Sequence, residues 1–304
     1  MNETAEATSP LGKPAYLVGL IGEGISASLT PPMHEREGEA NGLRYVYRIL
    51  DLTELGLAPE TVGTLLQQAR TMGYNGLNIT HPCKQLVLPF LDGISDDARR
   101  LGAVNTVLIR DGRFIGHNTD HSGFAAALAE GLPGARKGKV VQLGAGGAGS
   151  AVAYALLKSG VQTLVLSEVD RTRAQERAGS LAAVFPDQQV VAVSASDVED
   201  QLADADGLVN ATPIGMHSHP GVPVDVDLLA PRQWVADVVY RPLETELIGR
   251  AREKGCAVLD GGRMAVHQAA DAFALFTGVE PDAARMRRHF LELVDAENLR
   301  TGVS

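Results

Sequence analysis

The sequence predicts an α/β chain of two domains, and three observations carry that expectation. A length of 304 residues leaves room for two domains of ordinary size. Short apolar runs alternate with helical segments along the chain, the pattern of strands joined by crossover helices. The run VVQLGAGGAGSAVAYAL, residues 140–156, passes from an apolar strand through four glycines into a helix former.

The elements are expected in the following order. MNETAEATSPLGKP is polar, lacks the apolar stretch of a signal peptide, and reads as a disordered tail over residues 1–14. YLVGLIG is a first strand, residues 16–22, and SLTPPMHEREGEANG starts a helix after its double proline. YVYRILDL is strand-like, a helix runs from about Pro59 to Met72, and GLNIT is a short strand. KQLVLPFLDGI is helical near its start, and ARRLGAVNTVLIRDGRFIGHNTD holds two strands around Asp111-Gly112. These form a first α/β domain over residues 15–118, and HSGFAAALAEGL is a helix leading out of it.

The second domain, residues 119–263, is a βαβ series. Strand 140–143 precedes helix 148–159, and strand 163–168 precedes the helix TRAQERAGSLAAVF. VVAVS, ADGLVNAT, WVADVVY and CAVLD continue the strands. Continuous apolar runs of this kind suit a parallel sheet covered on both faces. The helices in RMAVHQAADAFALFTG and AARMRRHFLELV are expected to return to the first domain, adding residues 264–304 to it. The cleft between the domains is the expected active site.

The glycine-rich run has the chemistry of a dinucleotide site. Gly144 permits a tight turn, Gly146 lets backbone approach a pyrophosphate, and Gly149 lets the helix pack closely on its strand. Ala145, Gly147 and Ala148 complete a loop whose helix N-terminus offers N–H groups to phosphate. This is a Rossmann-type signature. Glu168, at the end of QTLVLS, stands where an acid meets the adenosine ribose hydroxyls of NAD and repels a 2'-phosphate. Val169 stands where an arginine would clamp that phosphate. Asp170 and Arg173 are further candidates at this end, with Asp170 partly cancelling the neighbouring Arg171. NAD is therefore expected over NADP.

Bulk properties narrow the classes. The formal charge is −10 with no basic tract, which speaks against nucleic acid. No apolar stretch of about 20 residues is present to span a bilayer, and the cytoplasm is the expected location. Cys83 and Cys256 are too few for a disulfide scaffold, and no histidine pair has metal-ligand spacing, so no metal is expected.

A hydride-transfer enzyme needs a group that moves a proton to or from the reacting oxygen. Lys84 in LNITHPCK and Asp120 in HNTDHSG are the candidates, each following an apolar run. The local alternatives are a solvent-facing lysine at a helix start and an aspartate N-cap.

At this point the chain is seen to resemble the shikimate dehydrogenase family, and within it the bacterial quinate/shikimate dehydrogenases that use NAD. SLTPPMH, NITHPCK, GAVNTV, GHNTDHSGF, GAGGAG, NATPIGM, DVVYRPLET and DGGRMAVHQAADAF follow in the family's order. The resemblance runs from about Tyr16 to Leu293. It implies that Ser28 and Thr30 hold a substrate carboxylate through their hydroxyls, with Thr30 a mild departure from the family's second serine. It implies that Thr80 approaches the carboxylate or a ring hydroxyl, and that Lys84 carries the proton. Asn105 and Asp120 would bind ring hydroxyls and orient Lys84, Gln268 would complete those contacts, and Tyr240 would line the pocket near the carboxylate. Asn210, Ala211 and Thr212 would lie along the dinucleotide, while Met216, Val239, Gly262 and Met264 would border the nicotinamide.

The implied reaction is reversible hydride transfer at the ring carbon bearing the 3-hydroxyl of a small hydroxylated cyclic carboxylic acid. A neutral Lys84 is needed as base, so oxidation should rise toward alkaline pH. The competing local readings are helix caps at Ser28 and Thr30, a turn residue at Asn105, a core-edge amide at Gln268 and plain core at Met264. The runner-up functions are an NADP-dependent biosynthetic shikimate dehydrogenase and a non-catalytic nucleotide-responsive regulator. Substrate preference, a homodimeric state and the roles of His81 and Cys83 stay open at this stage.

Overall fold

A computed structural model describes residues 12–301. The described residues divide into two units: residues up to Thr119 together with Ala269 onward, and Asp120–Gln268. Most of the tail expected over residues 1–14 lies outside the described residues. Pro14 belongs to the described fold, its carbonyl accepting from Arg44 N at 2.9 Å.

The first unit is a mixed six-stranded sheet. Its elements are β1 (Ala15–Gly22), α1 (Thr30–Ala40), β2 (Arg44–Asp51), α2 (Leu52–Leu55), α3 (Val62–Thr71), β3 (Gly76–Ile79) and α4 (Cys83–Leu86). There follow β4 (Gly93–Ile94), α5 (Asp96–Leu101), β5 (Thr106–Arg110) and β6 (Arg113–His117). The strand order is β2-β1-β3-β5-β6-β4. β1 is parallel to β2 and β3, whereas β5 is antiparallel to both β3 and β6. One apolar cluster gathers Ile21, Leu66, Leu77, Ile79, Val107 and Phe114, and another gathers Val18, Tyr45, Tyr47, Phe273 and Phe276. Along β2 the side chains alternate, Tyr45 and Tyr47 inward and Arg44, Val46 and Arg48 outward, as a half-covered edge strand requires. The Glu35 carboxylate accepts from Tyr47 N at 2.9 Å and so blocks part of that open edge.

The second unit is the nucleotide-type sheet, wholly parallel. It comprises α6 (Asp120–Gly131), β7 (Lys139–Leu143), α7 (Gly147–Lys158), β8 (Thr163–Ser167), α8 (Arg171–Val184), β9 (Gln189–Val193) and α9 (Val198–Leu202). β10 (Gly207–Asn210), β11 (Trp234–Asp237), α10 (Glu246–Glu253) and β12 (Ala257–Leu259) complete the sheet region. The strand order is β12-β11-β10-β7-β8-β9. The chain therefore winds outward from β7 in one direction and from β10 in the other. Where winding reverses, the loops after two neighbouring strands diverge and leave a ligand crevice at the strands' carboxyl ends.

The last helices are α11 (Gly261–Thr277) and α12 (Ala283–Thr301). The unit boundary falls within α11, after Gln268, five residues later than the boundary expected from sequence. The first half of α11 packs on α6, because a Cβ on Gly123 would lie 2.6 Å from Gln268 N. Glu130 also pairs with Arg263 and His267 there. Helix α12 is tied to α1 by the buried Glu37, whose carboxylate accepts from Arg285 Nε at 2.8 Å and Nη2 at 2.6 Å.

Three local features differ from expectation. Helix α1 begins at Thr30, with Pro31 and Pro32 inside its first turn and not before it. That turn has no intrahelical use for an N–H, so proline is tolerated there. Helix α6 begins at Asp120 itself. Helices α2, α5, α9 and α10 had no counterpart in the sequence reading, because four to eight residues carry too little periodicity to be seen.

Candidate active site

In the first unit, the sequence-expected residues gather at one end of the sheet. Ser28 and Thr30 follow the carboxyl end of β1, and Thr80 and Lys84 follow that of the adjacent β3. Asn105 enters β5, which is antiparallel, and so lies at the same end. Two backbone bonds lace the loops together: Thr80 N donates to Ile21 O at 2.9 Å, and Glu23 N to His81 O at 3.0 Å. Gly22 is required there, since a Cβ would stand 2.3 Å from the Thr80 methyl.

The helix-cap reading of Ser28 and Thr30 is weakened by the geometry. The N-cap of α1 is Leu29, which makes no side-chain cap bond, and Ser28 Oγ accepts only a 3.3 Å bond from Thr30 N. Both residues are half-buried. Lys84 is half-buried in α4, and its carbonyl accepts from Val104 N at 2.9 Å, which fixes its backbone. The neighbouring Cys83 points into the core, and burial, with Glu23 and Glu60 adding to it, pushes its thiol up to about 11. It is packing, not a nucleophile at neutral pH. His81 is exposed.

Asn105 is a buried bracket and not a turn residue. Its Oδ1 accepts from Thr119 N at 2.7 Å and from Thr106 Oγ1 at 3.0 Å, and its Nδ2 donates to Thr119 Oγ1 at 3.0 Å. The network runs on: Asn78 Nδ2 donates to Thr106 Oγ1 at 3.0 Å, and Tyr47 Oη donates to Asn78 Oδ1 at 2.7 Å. Buried amides linked in this way hold each other's orientation. Sequence reading missed Tyr47 and Asn78, whose partners lie about 30 residues away in the chain.

In the second unit, the glycine-rich loop has the stereochemistry expected of it. Gly144 has φ +90°, and a Cβ there would meet Ala211 O at 2.6 Å. A Cβ on Gly149 would stand 2.3 Å from Gly144 O, so α7 packs directly on the turn. Gly146 and Gly147 face open space, and Gly146 caps α7 with no side-chain bond. The first turn of α7, including Ala148, thus keeps backbone donors for an anion. This cradle fits a pyrophosphate. Gln142, which sequence reading passed over, braces it from beneath. Its buried Nε2 donates to Gly144 O at 2.8 Å and to Gly149 O at 2.7 Å.

Glu168 follows β8, and the structure gives its carboxylate a task within the loop. Its carboxylate accepts from Ala145 N at 2.9 Å and from Val169 N at 3.0 Å, so it also shapes the loop. Val169 is 97% exposed. Asp170 caps α8 by accepting from Arg173 N at 3.1 Å, and its other oxygen lies 3.9 Å from the Arg173 guanidinium. The nearest partners of these two candidates are therefore each other.

Asn210 was expected along the dinucleotide; its side chain is 0% exposed and its amide is engaged internally. Nδ2 donates to Ile214 O and to Asp237 Oδ1, both at 2.9 Å, and Oδ1 accepts from Thr212 N and Oγ1. It shapes the loop that carries Ala211, Thr212 and Met216. Asp237, unseen from sequence, anchors the same region by accepting from Val239 N at 3.0 Å and Thr245 Oγ1 at 2.7 Å. A Cβ on Gly261 would lie 2.4 Å from Val239 O, so the start of α11 closes against this turn. Val239 and Gly262 are buried, Tyr240 and Met264 are half-buried, and Met216 is 39% exposed. Asp120 is buried at the first turn of α6, and Gln268 Nε2 donates to Ala265 O at 3.0 Å within α11.

One unit carries a Rossmann-type sheet with a glycine-rich loop, and the other gathers hydroxyls and a lysine, features of the class of nucleotide-dependent oxidoreductases. Residues 20–107 match the family described as the shikimate dehydrogenase substrate binding domain, and residues 262–289 the shikimate 5'-dehydrogenase C-terminal domain. A shikimate dehydrogenase (NADP(+)) of Pseudarthrobacter chlorophenolicus is 67% identical, over 94% of this chain and 97% of its own. A quinate/shikimate dehydrogenase (NAD(+)) of Corynebacterium glutamicum is 54% identical, over 92% of this chain and 99% of its own. The solved quinate dehydrogenase from Corynebacterium glutamicum in complex with NAD superposes with a TM-score of 0.88 at 53% identity, covering 91% of this chain and 99% of that one. The chain belongs to the shikimate dehydrogenase family. No described helix is long and apolar enough to cross a membrane.

Proposed function

We propose that the chain is an NAD-dependent dehydrogenase that interconverts quinate or shikimate with the matching 3-dehydro acid. The observation that carries the cofactor choice is the end of β8. Glu168 presents a carboxylate there, and the exposed side chain that follows it is Val169, with no charge to offer a 2'-phosphate. An acid at this place favours ribose hydroxyls and repels phosphate. The relatives named for NAD, at 54% identity, support the same choice.

We assign substrate binding to the first unit and nucleotide binding to the second. When bound, the nucleotide supplies the hydride acceptor or donor. Ser28 and Thr30 donate neutral hydrogen bonds to the substrate carboxylate. Lys84 Nζ takes the proton of the ring 3-hydroxyl in oxidation and returns it in reduction. Thr80, Asn105, Asp120 and Gln268 hold ring hydroxyls, and Tyr240 flanks the carboxylate. Gly144–Gly149 hold the pyrophosphate through backbone N–H groups, with Ala211 and Thr212 alongside. Asp170 and Arg173 border the ribose end, and Met216, Val239, Gly262 and Met264 border the nicotinamide. The net charge of −10 speaks against a nucleic-acid partner, and this reading places the enzyme in the cytoplasm.

A second reading has a specific observation behind it. The relative at 67% identity is named for NADP(+), which favours a biosynthetic shikimate dehydrogenase using that nucleotide. Initial rates with NAD and NADP, each on quinate and on shikimate, decide between the two. A kcat/KM for NADP above that for NAD would remove the proposal.

A further inference from the structure

Asp51 ends β2 with its side chain almost out of water, at 4% exposure. Its two oxygens take five hydrogen bonds. Oδ1 accepts from Gly24 N at 3.0 Å and from Thr53 N at 3.1 Å. Oδ2 accepts from Ile25 N at 2.7 Å, Ser26 N at 2.9 Å and Ser26 Oγ at 2.8 Å. Four of these five donors belong to the loop that joins β1 to α1, about 25 residues away in the chain.

The loop does not stop at Ser26. Ile25, held by Asp51 through its N–H, offers its carbonyl to Ser28 N at 2.9 Å. Ser28 Oγ in turn accepts from Thr30 N at 3.3 Å. A continuous chain of bonds thus runs from the Asp51 carboxylate through Ile25 to Ser28 and Thr30. On its other flank the loop is pinned by Glu23 N donating to His81 O at 3.0 Å. Burial opposes the charge on Asp51, but the bonds from Ser26, Ile25, Gly24 and Thr53 outweigh it and hold the carboxyl below its ordinary range. The group is therefore an anion at every pH at which the enzyme would work.

We propose that Asp51 is the positioning residue of the substrate-carboxylate loop, setting the backbone of Gly24–Ser26 and through it the two hydroxyls at Ser28 and Thr30. The inference rests on the reading that those hydroxyls hold the substrate carboxylate. Only a carboxylate suits the position. With asparagine, either flip turns an NH2 toward donors: Gly24 N and Thr53 N on one side, or Ile25 N and the two Ser26 donors on the other. A donor facing donors leaves the loop without its anchor.

The test is steady-state kinetics with a thermal melt on Asp51→Asn, Ser26→Ala, Ser28→Ala and the Asp51→Asn/Ser28→Ala double variant. Ser28→Ala is expected to raise KM for the acid substrate roughly 10- to 100-fold. Asp51→Asn is expected to raise it by about 10-fold or more, with KM for NAD unchanged within about twofold. The double variant is expected to fall well short of the product of the two effects, because both act on the same contact. Ser26→Ala removes one of the five donors and leaves the backbone bonds, so it keeps the question decidable if Asp51→Asn does not fold. It is expected to raise the acid KM about threefold with little change in melting temperature.

A lower melting temperature with an unchanged acid KM, in Asp51→Asn or in Ser26→Ala where the former does not fold, would overturn the proposal and leave Asp51 as the cap of α2. Full multiplicativity in the double variant would overturn it as well. An unchanged KM in Ser28→Ala would instead overturn the carboxylate-anchor reading, and the proposal with it. A large Ser28→Ala effect beside a silent Asp51→Asn overturns the proposal alone.

Discussion

Asn210 donates from Nδ2 to Asp237 Oδ1 at 2.9 Å, joining the carboxyl ends of the neighbouring parallel strands β10 and β11. Each residue then holds a loop: Asn210 the turn at Thr212 and Ile214, Asp237 the turn at Val239 and the N-cap hydroxyl of α10. Both side chains are buried, so their influence on the nucleotide passes through backbone shape. Asn210→Ala leaves several buried groups unpaired and is expected to lower stability by about 2–3 kcal/mol. KM for the nucleotide should rise by about tenfold while KM for the acid stays near its original value. Equal changes in both constants would point to general misfolding.

Asp237 also gives the protein an acid-side signature. Burial raises its carboxyl to about 6, against the bonds from Val239, Thr245 and Asn210 that lower it. The folded value lies above the unfolded one, so the group's stabilising contribution is full below about 3.8 and is lost as pH rises through about 6. The loss is at most about 3 kcal/mol. Asp237→Asn removes this term. Urea unfolding of both proteins at several pH values from 4 to 7 should show the wild type losing stability relative to the variant across that window. Parallel curves would refute the assignment.

His34 acts in the opposite sense. Its ring is fully buried among Tyr45, Tyr47, Phe273 and Phe276, with Nδ1 3.0 Å from Tyr45 Oη. Burial pushes it down to about 3. The unfolded chain binds a proton near pH 6.5 and the folded one does not until about 3, so stability present above 6.5 is lost as pH falls between them. The slope contributed is at most about 1.4 kcal/mol per pH unit. His34→Gln keeps a polar partner for Tyr45 and cannot titrate. Its stability should therefore fall less steeply between pH 6 and 5 than that of the wild type, whatever its value at pH 8.

For the cofactor, Val169→Arg places a cation where the side chain is free to move. The NAD preference should narrow, read as the ratio of kcat/KM for the two nucleotides. Glu168→Ala should narrow it too by removing repulsion, but it also deletes the acceptor for Ala145 N. KM for both nucleotides should therefore rise in Glu168→Ala, by roughly threefold to tenfold. An unchanged ratio in both variants would show that discrimination lies elsewhere.

Lys84→Ala is expected to lower kcat by roughly 10²- to 10⁴-fold, the scale of a positioned proton carrier. KM for the acid should move much less. A near-normal kcat would take Lys84 out of the proton-transfer role, and loss of nucleotide affinity alongside kcat would indicate damage to the fold.

What the sequence determined by itself is whatever depends on neighbours in the chain. The turn at Gly144, the close packing at Gly149 and the acid after β8 are local demands on backbone and side chain, readable from a dozen residues. The strands and long helices were legible for the same reason, and family motifs supplied the roles proposed for Ser28, Thr30 and Lys84. Tertiary structure alone decided which polar side chains hold those motifs in shape. Asp51 reaches a loop about 25 residues back, Asn78 reaches Thr106, and Asp237 reaches Asn210, each across a strand pairing. It also turned Asn210 inward, a direction that a side chain at the end of a strand takes from its neighbours. A buried amide or carboxylate is stable only where donors and acceptors converge on it, and that convergence belongs to the register of the sheet.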